Sequence, residues 1–511
     1  MTPHRCAVRA AAAVLLLACR TNEPRLPEVD GPLAIDVVFP TPGTAVPIND
    51  SIAIWGSIGT GRGALRANGT ELHVRSNGAF AGIVSVPPNG LAEIRLEARR
   101  GDSSLVRQVP LVRQPEAPLP PADSALAHRL RWVRVRRLPS DTADSATQWR
   151  PVYSRWRPGG IVGVPLPQGF VARSDAARPG WLRLRLAEDE AVWIPAADAD
   201  TTVLRGVDVQ AISAPSLSVD TEGIRLSIPI ASALPTAVEH ARDHLRWTLY
   251  GVTWRRGAVA VPGDGHLVLR AVPIQGARGR VYVDVPLAAV ARGWRTEYSN
   301  GAMHLVVRQQ LPPADSLRGL RVVLDPGHPP DGSTGPSGLR EDSVTLAVAL
   351  RAAERLRAAG AIVTLTRHSD VAVSLEARAA IADRASADAF LSIHVNAPAA
   401  GRAPERVDGT TVFWQHAPGM VLARAMAPEV AHALGYEHGS NTRGDYAVLR
   451  SAWMPAVLIE GTTLVLPERE DFLRTSEGVD AWAEGIVRGL LRWRRGPGAA
   501  SKAGARAGTS R

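Results

Sequence analysis

The chain has 511 residues, of which 45% are hydrophobic and 21% charged. At about 150 residues per domain this predicts three to four domains and excludes wholesale disorder, a collagen-like repeat or a polytopic membrane protein. The formal charge of +10 sits mostly at the ends: Arg492, Arg494, Arg495, Lys502, Arg506 and Arg511 crowd residues 492–511 without an acid, and Arg5 and Arg9 open the chain. The body between is close to neutral and carries no recognition-helix, RNA-binding or zinc-finger pattern, which excludes nucleic acid as a partner.

Residues 1–9 form a short basic stretch, followed at 10–18 by an unbroken apolar run that ends before Cys19. A membrane-spanning helix needs about 20 apolar residues, whereas about 7 to 15 suit a signal-peptide core. The string LLAC at 16–19 resembles a bacterial lipobox, in which Cys19 would carry lipid and anchor the mature chain to a membrane; a plain secretory peptide is the alternative. Either way residues 1–19 are expected to direct export, to the periplasm if the lipobox holds. Cys6 and Cys19 are the only two cysteines. Since Cys6 lies inside the leader, no internal disulfide and no cysteine metal site is expected, and any metal falls to His, Asp or Glu.

Residues 32–113 show short alternating segments (51–55, 71–75, 93–97, 105–109) broken by Asn68-Gly69, Asn77-Gly78 and Asn89-Gly90, the dipeptide that most favours tight hairpins. This predicts a small β-sandwich of immunoglobulin-like pattern. The stretch Gly59-Thr60-Gly61-Arg62-Gly63-Ala64 is expected to be a mobile turn, since no helix follows it to receive a dinucleotide. Pro-rich strings at 114–123 and 309–315 share LPPAD and are read as linkers with few packing contacts. Between them, RWVRVR at 131–136 and WLRLRL at 181–186 alternate as strands do, placing Leu182, Leu184 and Leu186 on one face. Residues 128–205 weakly resemble the small Src-homology-3-like barrels of cell-wall enzymes, and the strand-rich 206–310 loosely resembles the β-rich targeting modules that precede some amidases.

From residue 321 the period changes. Strand-like runs at 321–324, 362–366, 389–393, 411–414 and 456–459 alternate with helical ones at 343–359, 375–385, 420–434 and 479–493. The expectation is an α/β domain at 319–495 with a mostly parallel sheet, preceded by the small β-rich domains. In its first helix Leu346, Leu350 and Ala353 are expected to share the core face, Asp342 to cap the start and Gly360 to follow the end. Residues 496–511, rich in Gly and Ala, read as a disordered basic tail.

In such a domain chemistry gathers at the carboxyl ends of strands. Three ends carry polar groups: Asp325-Pro326-Gly327-His328, Ser392-Ile393-His394-Val395-Asn396 and Leu458-Ile459-Glu460-Gly461, while Glu341 stands where a Gly/Pro-rich loop meets the first helix. Two imidazoles and a carboxylate on separate elements can leave an open position on zinc. Taken singly, each histidine is more simply a hydrogen-bonded structural residue and Glu341 a first-turn acid facing the helix dipole. Glu460 differs, because a carboxylate ending an apolar strand is costly to bury without a partner.

Together these strings closely resemble the zinc-dependent N-acetylmuramoyl-L-alanine amidases of bacterial cell walls: VVLDPGH (322–328), GLRE (338–341), LTRHSD (365–370) with SLEAR (374–378), SIHVNA (392–397), YAVLR (446–450) and MPAVLIEG (454–461), in family order over about 319–495. The resemblance implies His328, Glu341 and His394 as ligands of one zinc and Glu460 as the catalytic carboxylate. It also implies peptidoglycan as substrate, cleaved between N-acetylmuramic acid and L-alanine. Asp325 could orient a ligand or merely shape the backbone. The chain departs from the family pattern at Pro329-Pro330 and at Thr462-Thr463, changes expected to touch the loop and the substrate rim. Two other functions fit the same residues less fully: a zinc peptidase of the stem peptide, and a non-catalytic murein-binding lipoprotein that activates other hydrolases. The β-rich front is a further candidate surface for a regulatory protein.

Overall fold

The computed structural model describes residues 26–46, 51–86, 92–113, 131–136, 152–201, 209–240, 243–254, 260–399 and 401–496. The leader with Cys19, the first Pro-rich string, the Asn89-Gly90 turn and the tail beyond Gly496 lie outside these. In the front region a three-stranded sheet (Asp36–Phe39, Ser51–Ser57, Ala79–Ser85) faces a four-stranded one (Thr70–Leu72, Ala64–Ala67, Glu93–Arg100, Ser103–Pro110). Ile52, Ile54, Phe80, Ile94 and Leu96 fill the space between them. Asn68 (φ 48°) and Gly69 (φ 83°) turn the chain between Ala64–Ala67 and Thr70–Leu72, as that dipeptide predicts. The stretch read as a mobile turn is instead packed: a Cβ on Gly61 would lie 1.9 Å from the Ser76 carbonyl oxygen, so the glycine serves a close backbone approach.

A seven-stranded sheet follows over 131–200, with Leu182, Leu184 and Leu186 buried as their alternation requires. Residues 210–308 form a six-stranded and a four-stranded sheet around one core that includes Trp247, Leu226 and Leu305. The second Pro-rich string is no free linker. Ala314 N–H donates to Arg494 O, Arg494 to Pro312 O and Arg495 to Asp315, and Leu311 packs on the core of the following domain. Its prolines hold an extended path, and that path lies along the last helix.

The α/β region runs β1 (Arg321–Pro326), α1 (Glu341–Ala358), β2 (Ile362–Leu365), α2 (Leu375–Arg384), β3 (Ala389–Asn396), β4 (Thr410–Trp414), α3 (Ala417–Ala433), β5 (Gly439–Arg443), β6 (Ala456–Thr463), α4 (Pro467–Arg474) and α5 (Ser476–Arg495). The sheet order is β2-β1-β3-β6-β4-β5. It is a mixed sheet: β4 pairs antiparallel with β6, and the other neighbours are parallel. Helices α1, α3 and α5 cover one face through Val348, Met426 and Ile486, while α2 and residues 447–454 cover the other through Ala382, Leu449 and Trp453. Burying a side chain such as Leu356 or Val348 contributes about 1.5–3 kcal/mol.

The core stripe of α1 agrees with the expected one at Ala353, which is buried, but not at Leu346 or Leu350. Val344, Val348, Ala349, Ala352 and Leu356 are buried, while Leu350 is 42% exposed. The helix begins two residues earlier than the periodicity suggested, because Glu341 and Asp342 are drawn inward by polar partners. Asp342 is not its cap: Arg340 occupies that position without a side-chain capping bond, and its guanidinium pairs with Asp342 inside the first turn. Strand β5 and helix α4 have no counterpart in the expected elements. The polar GSNTR of β5 has no apolar alternation, since it is an exposed edge strand.

Candidate metal centre

Strand β1 ends in a loop that must turn sharply beside β3. Gly327 N–H donates to Ile393 O at 2.9 Å, and a Cβ on Gly327 would lie 2.5 Å from the His394 ring. Only glycine permits that approach. His328 follows with φ 57°, an uncommon left-handed conformation. It is held by Arg378, whose Nη2 donates to His328 O at 3.0 Å, and its own Nδ1 lies 3.1 Å from Pro330 O.

Beneath this turn lies a buried polar network. Asp325 is fully buried and accepts from Arg378 Nη1 (2.7 Å), Thr366 Oγ1 (2.5 Å) and Ser392 Oγ (2.7 Å). Arg367 donates to Pro326 O (3.0 Å), Gly327 O (2.8 Å) and Asp342 O (2.7 Å). Asp325 therefore shapes the loop that carries His328, its oxygens taken by Arg378, Thr366 and Ser392. The charge-assisted bonds of two guanidiniums fix the carbonyls of residues 326–328. Neither arginine stood out in the sequence as a structural brace, although both lie in the strings LTRHSD and SLEAR.

Glu341 opens α1 with its side chain 4% exposed. Its Oε1 lies 3.3 Å from both His328 Nε2 and His394 Nδ1, and also accepts from Val395 N at 2.9 Å. Its Oε2 accepts from Ser333 N (2.8 Å) and Ser333 Oγ (3.0 Å). Burial alone would raise the Glu341 pKa, but the two facing imidazoles hold it well below the usual carboxylate range. In turn, the hydrogen bond that His328 donates to Glu341 raises the pKa of His328. The two rings meet edge to face with centroids 5.0 Å apart. One ligand atom from each of the three residues lies within 4.8 Å of the others, so the fold brings His328, Glu341 and His394, the three residues that the resemblance implied, to one place.

Glu460 stands across from His394 in the β3–β6 register. Its Oε2 is buried without a hydrogen-bond partner among the described residues. Burial pushes its pKa up to about 7, with His394 and His328 opposing and Glu341 reinforcing the shift. Two imidazole nitrogens and a carboxylate oxygen form a donor set suited to zinc, and the unpartnered oxygen beside them suits a proton acceptor.

Thr462 and Thr463 do not form a rim, contrary to expectation. Both are buried, Thr463 Oγ1 donating to Asn396 O at 2.8 Å, because β6 continues through Thr463. Glu470 on α4 also escaped notice in the sequence: buried, it accepts from Ser337 N (2.9 Å) and Leu339 N (3.0 Å) in the loop before Glu341. A glutamate within the charged string PERED carries no signal that one member turns inward.

Residues 322–492 match the family described as N-acetylmuramoyl-L-alanine amidase. The N-acetylmuramoyl-L-alanine amidase LytC of Bacillus subtilis is 32% identical over 180 residues, 35% of this chain and 36% of that protein. The probable cell wall amidase LytH of Staphylococcus aureus is 29% identical over 202 residues, 39% of this chain and 64% of that protein. The chain thus spans less than two thirds of either relative. Among solved structures, the N-acetylmuramoyl-L-alanine amidase AmiC2 of Nostoc punctiforme is 33% identical, with 34% of this chain and 96% of that chain covered at a TM-score of 0.32. The resemblance read from the ordered motifs is borne out by the family match.

Proposed function

We propose, taking residues 322–492 as a domain of the N-acetylmuramoyl-L-alanine amidase family, that this chain is an exported peptidoglycan hydrolase. It would cleave the amide between the lactyl group of N-acetylmuramic acid and the L-alanine of the stem peptide. The observation that carries the reading is the unpartnered Glu460 Oε2 beside the His328, Glu341 and His394 cluster.

His328, Glu341 and His394 would hold one zinc ion. Bound there, zinc supplies Lewis acidity that lowers the pKa of water towards about 7 and polarises an amide carbonyl. Glu460 takes the proton from the attacking water as the new C–O bond forms. It then delivers that proton to the alanine nitrogen as the C–N bond breaks. Its Oε2 is buried and unpartnered among the described residues, free to take and return a proton, whereas both oxygens of Glu341 are engaged by the imidazoles, Val395 and Ser333. Arg378 and Arg367 keep the His328 loop in place throughout.

Export rests on the leader-like residues 1–19, with lipid on Cys19 as the membrane anchor and the periplasm as the compartment. The three β-rich regions at 32–113, 128–205 and 206–310 are assigned as an immunoglobulin-like sandwich, a Src-homology-3-like barrel and a targeting module.

Mass spectrometry of murein digested by the purified chain tests the activity. Intact stem peptides with a free alanine amine, together with glycan bearing a free lactyl carboxylate, are expected. Cleavage only within the stem peptide would replace this reading with a zinc peptidase, and no cleavage with a non-catalytic binding role.

A further inference from the structure

The front sandwich reaches the loop that carries Glu341. Residues 333–341 close into a small hairpin: Glu341 N–H donates to Ser333 O (2.9 Å), Gly335 N–H to Leu339 O (2.9 Å), and Thr334 bridges Arg340. Ser333 at its base binds the outer oxygen of Glu341 through both backbone and hydroxyl. The hairpin is gripped from two sides. On one, Glu470 of α4 accepts from Ser337 and Leu339 N–H, and a Cβ on Gly335 would lie 2.5 Å from the Glu470 carboxyl. On the other, Trp55 of the strand Ser51–Ser57 donates its indole Nε1–H to Thr334 O at 2.9 Å.

Trp55 is itself rigidly held. It is 5% exposed, stacks on Phe39 with centroids 4.5 Å apart, and shares an apolar cluster with Ala53, Ala81 and Val465, the last from the segment following β6. The same junction carries an ion pair between Arg75 and Glu468. An indole buried on its ring and satisfied at its nitrogen loses little freedom in forming such a bond. Its acceptor, Thr334, is the covalent neighbour of the residue that orients Glu341.

We infer that Trp55 is a positioning residue for the metal centre, through which the front sandwich holds Thr334, Ser333 and so Glu341 in the ligand geometry. This rests on the proposed role of Glu341 as a zinc ligand. Outer partners of metal ligands set ligand orientation, and losing one lowers metal affinity by about 10- to 100-fold.

Zinc affinity of the full chain, measured by competition with a chromophoric chelator, tests it. Trp55→Phe keeps the stack on Phe39 and the apolar contacts but removes the N–H, and is expected to weaken zinc binding about tenfold. Its melting temperature without metal should match the unsubstituted chain. Trp55→His, which keeps a ring N–H, should bind zinc more tightly than Trp55→Phe. Arg75→Ala, at the same junction but paired with Glu468 and not bonded to the hairpin, should bind zinc as the unsubstituted chain does. Equal zinc affinity in Trp55→Phe and the unsubstituted chain would overturn the inference and leave the metal site standing. An equal loss in Arg75→Ala, or a Trp55→Phe chain that fails to fold, would also overturn it by showing general docking or folding as the cause. Failure of the unsubstituted chain to bind zinc would instead remove the metal reading itself.

Discussion

His394 and Glu460 lie directly opposite each other on the adjacent parallel strands β3 and β6. Residues paired in this way project from the same face of a sheet, so hydrogen bonding between the strands sets the distance between a candidate ligand and a candidate base. Rigid strands hold such a pair more closely than loops can.

Glu460→Gln separates the two roles. The amide is nearly isosteric but cannot take a proton at neutral pH. Zinc content should stay near one per chain while the rate of murein cleavage falls by about 10² to 10⁴, the usual range for a general acid or base. Metal loss in this variant, read by atomic absorption, would reassign Glu460 as a ligand.

His328→Ala and His394→Ala should each lose most of the bound zinc, since two remaining ligands hold the ion poorly. Zinc should raise the melting temperature of the unsubstituted chain and leave that of both variants unchanged. A full zinc-dependent rise in either variant removes that histidine from the ligand set.

Asp325→Asn strips the charge from a fully buried partner of Arg378 while keeping the shape. Leaving the Arg378 guanidinium unpaired should cost about 3 kcal/mol, the low end for breaking a buried ion pair. Urea unfolding of the metal-free chain measures it. A change below about 0.5 kcal/mol, the scale of ordinary surface substitutions, would mean that the network bears little on stability.

His416 gives a pH dependence. It precedes α3 at the helix start, donates Nε2–H to Arg450 O at 3.1 Å and meets Trp294 edge-on. Burial lowers its pKa to about 4, with Arg443 assisting and the bond to Arg450 opposing. An unfolded histidine titrates near about 6.5. Above that value both states are neutral and the folded state keeps its full stability. As pH falls towards 4 the unfolded chain takes up the proton first, and stability drops by about 1.4 kcal/mol per pH unit. Comparing denaturant midpoints at pH 7 and pH 5, His416→Gln should lose about 2 kcal/mol less than the unsubstituted chain. Identical losses in the two would show that His416 does not contribute.

The sequence by itself determined the elements whose patterns are local. The alternation at 181–186 buries Leu182, Leu184 and Leu186, the Asn68-Gly69 turn forms, and strands carry or lead into His328, His394 and Glu460 where apolar runs meet polar residues. The ordered strings from VVLDPGH to MPAVLIEG also named the residues that the sheet gathers, because parallel strands bring their carboxyl ends to one edge. The tertiary structure alone decided the rest. Leu350 faces solvent because Glu341, buried against the two imidazoles, turns the stripe of Val344, Val348, Ala352 and Leu356 to the core and leaves Leu350 on the opposite side. Arg378, Arg367, Glu470 and Trp55 take their roles from partners between 25 and 279 residues away in the chain. A charged or aromatic side chain carries no periodic mark of such a partner. Its burial becomes favourable only once the folded chain supplies the opposite charge or the carbonyl it must satisfy.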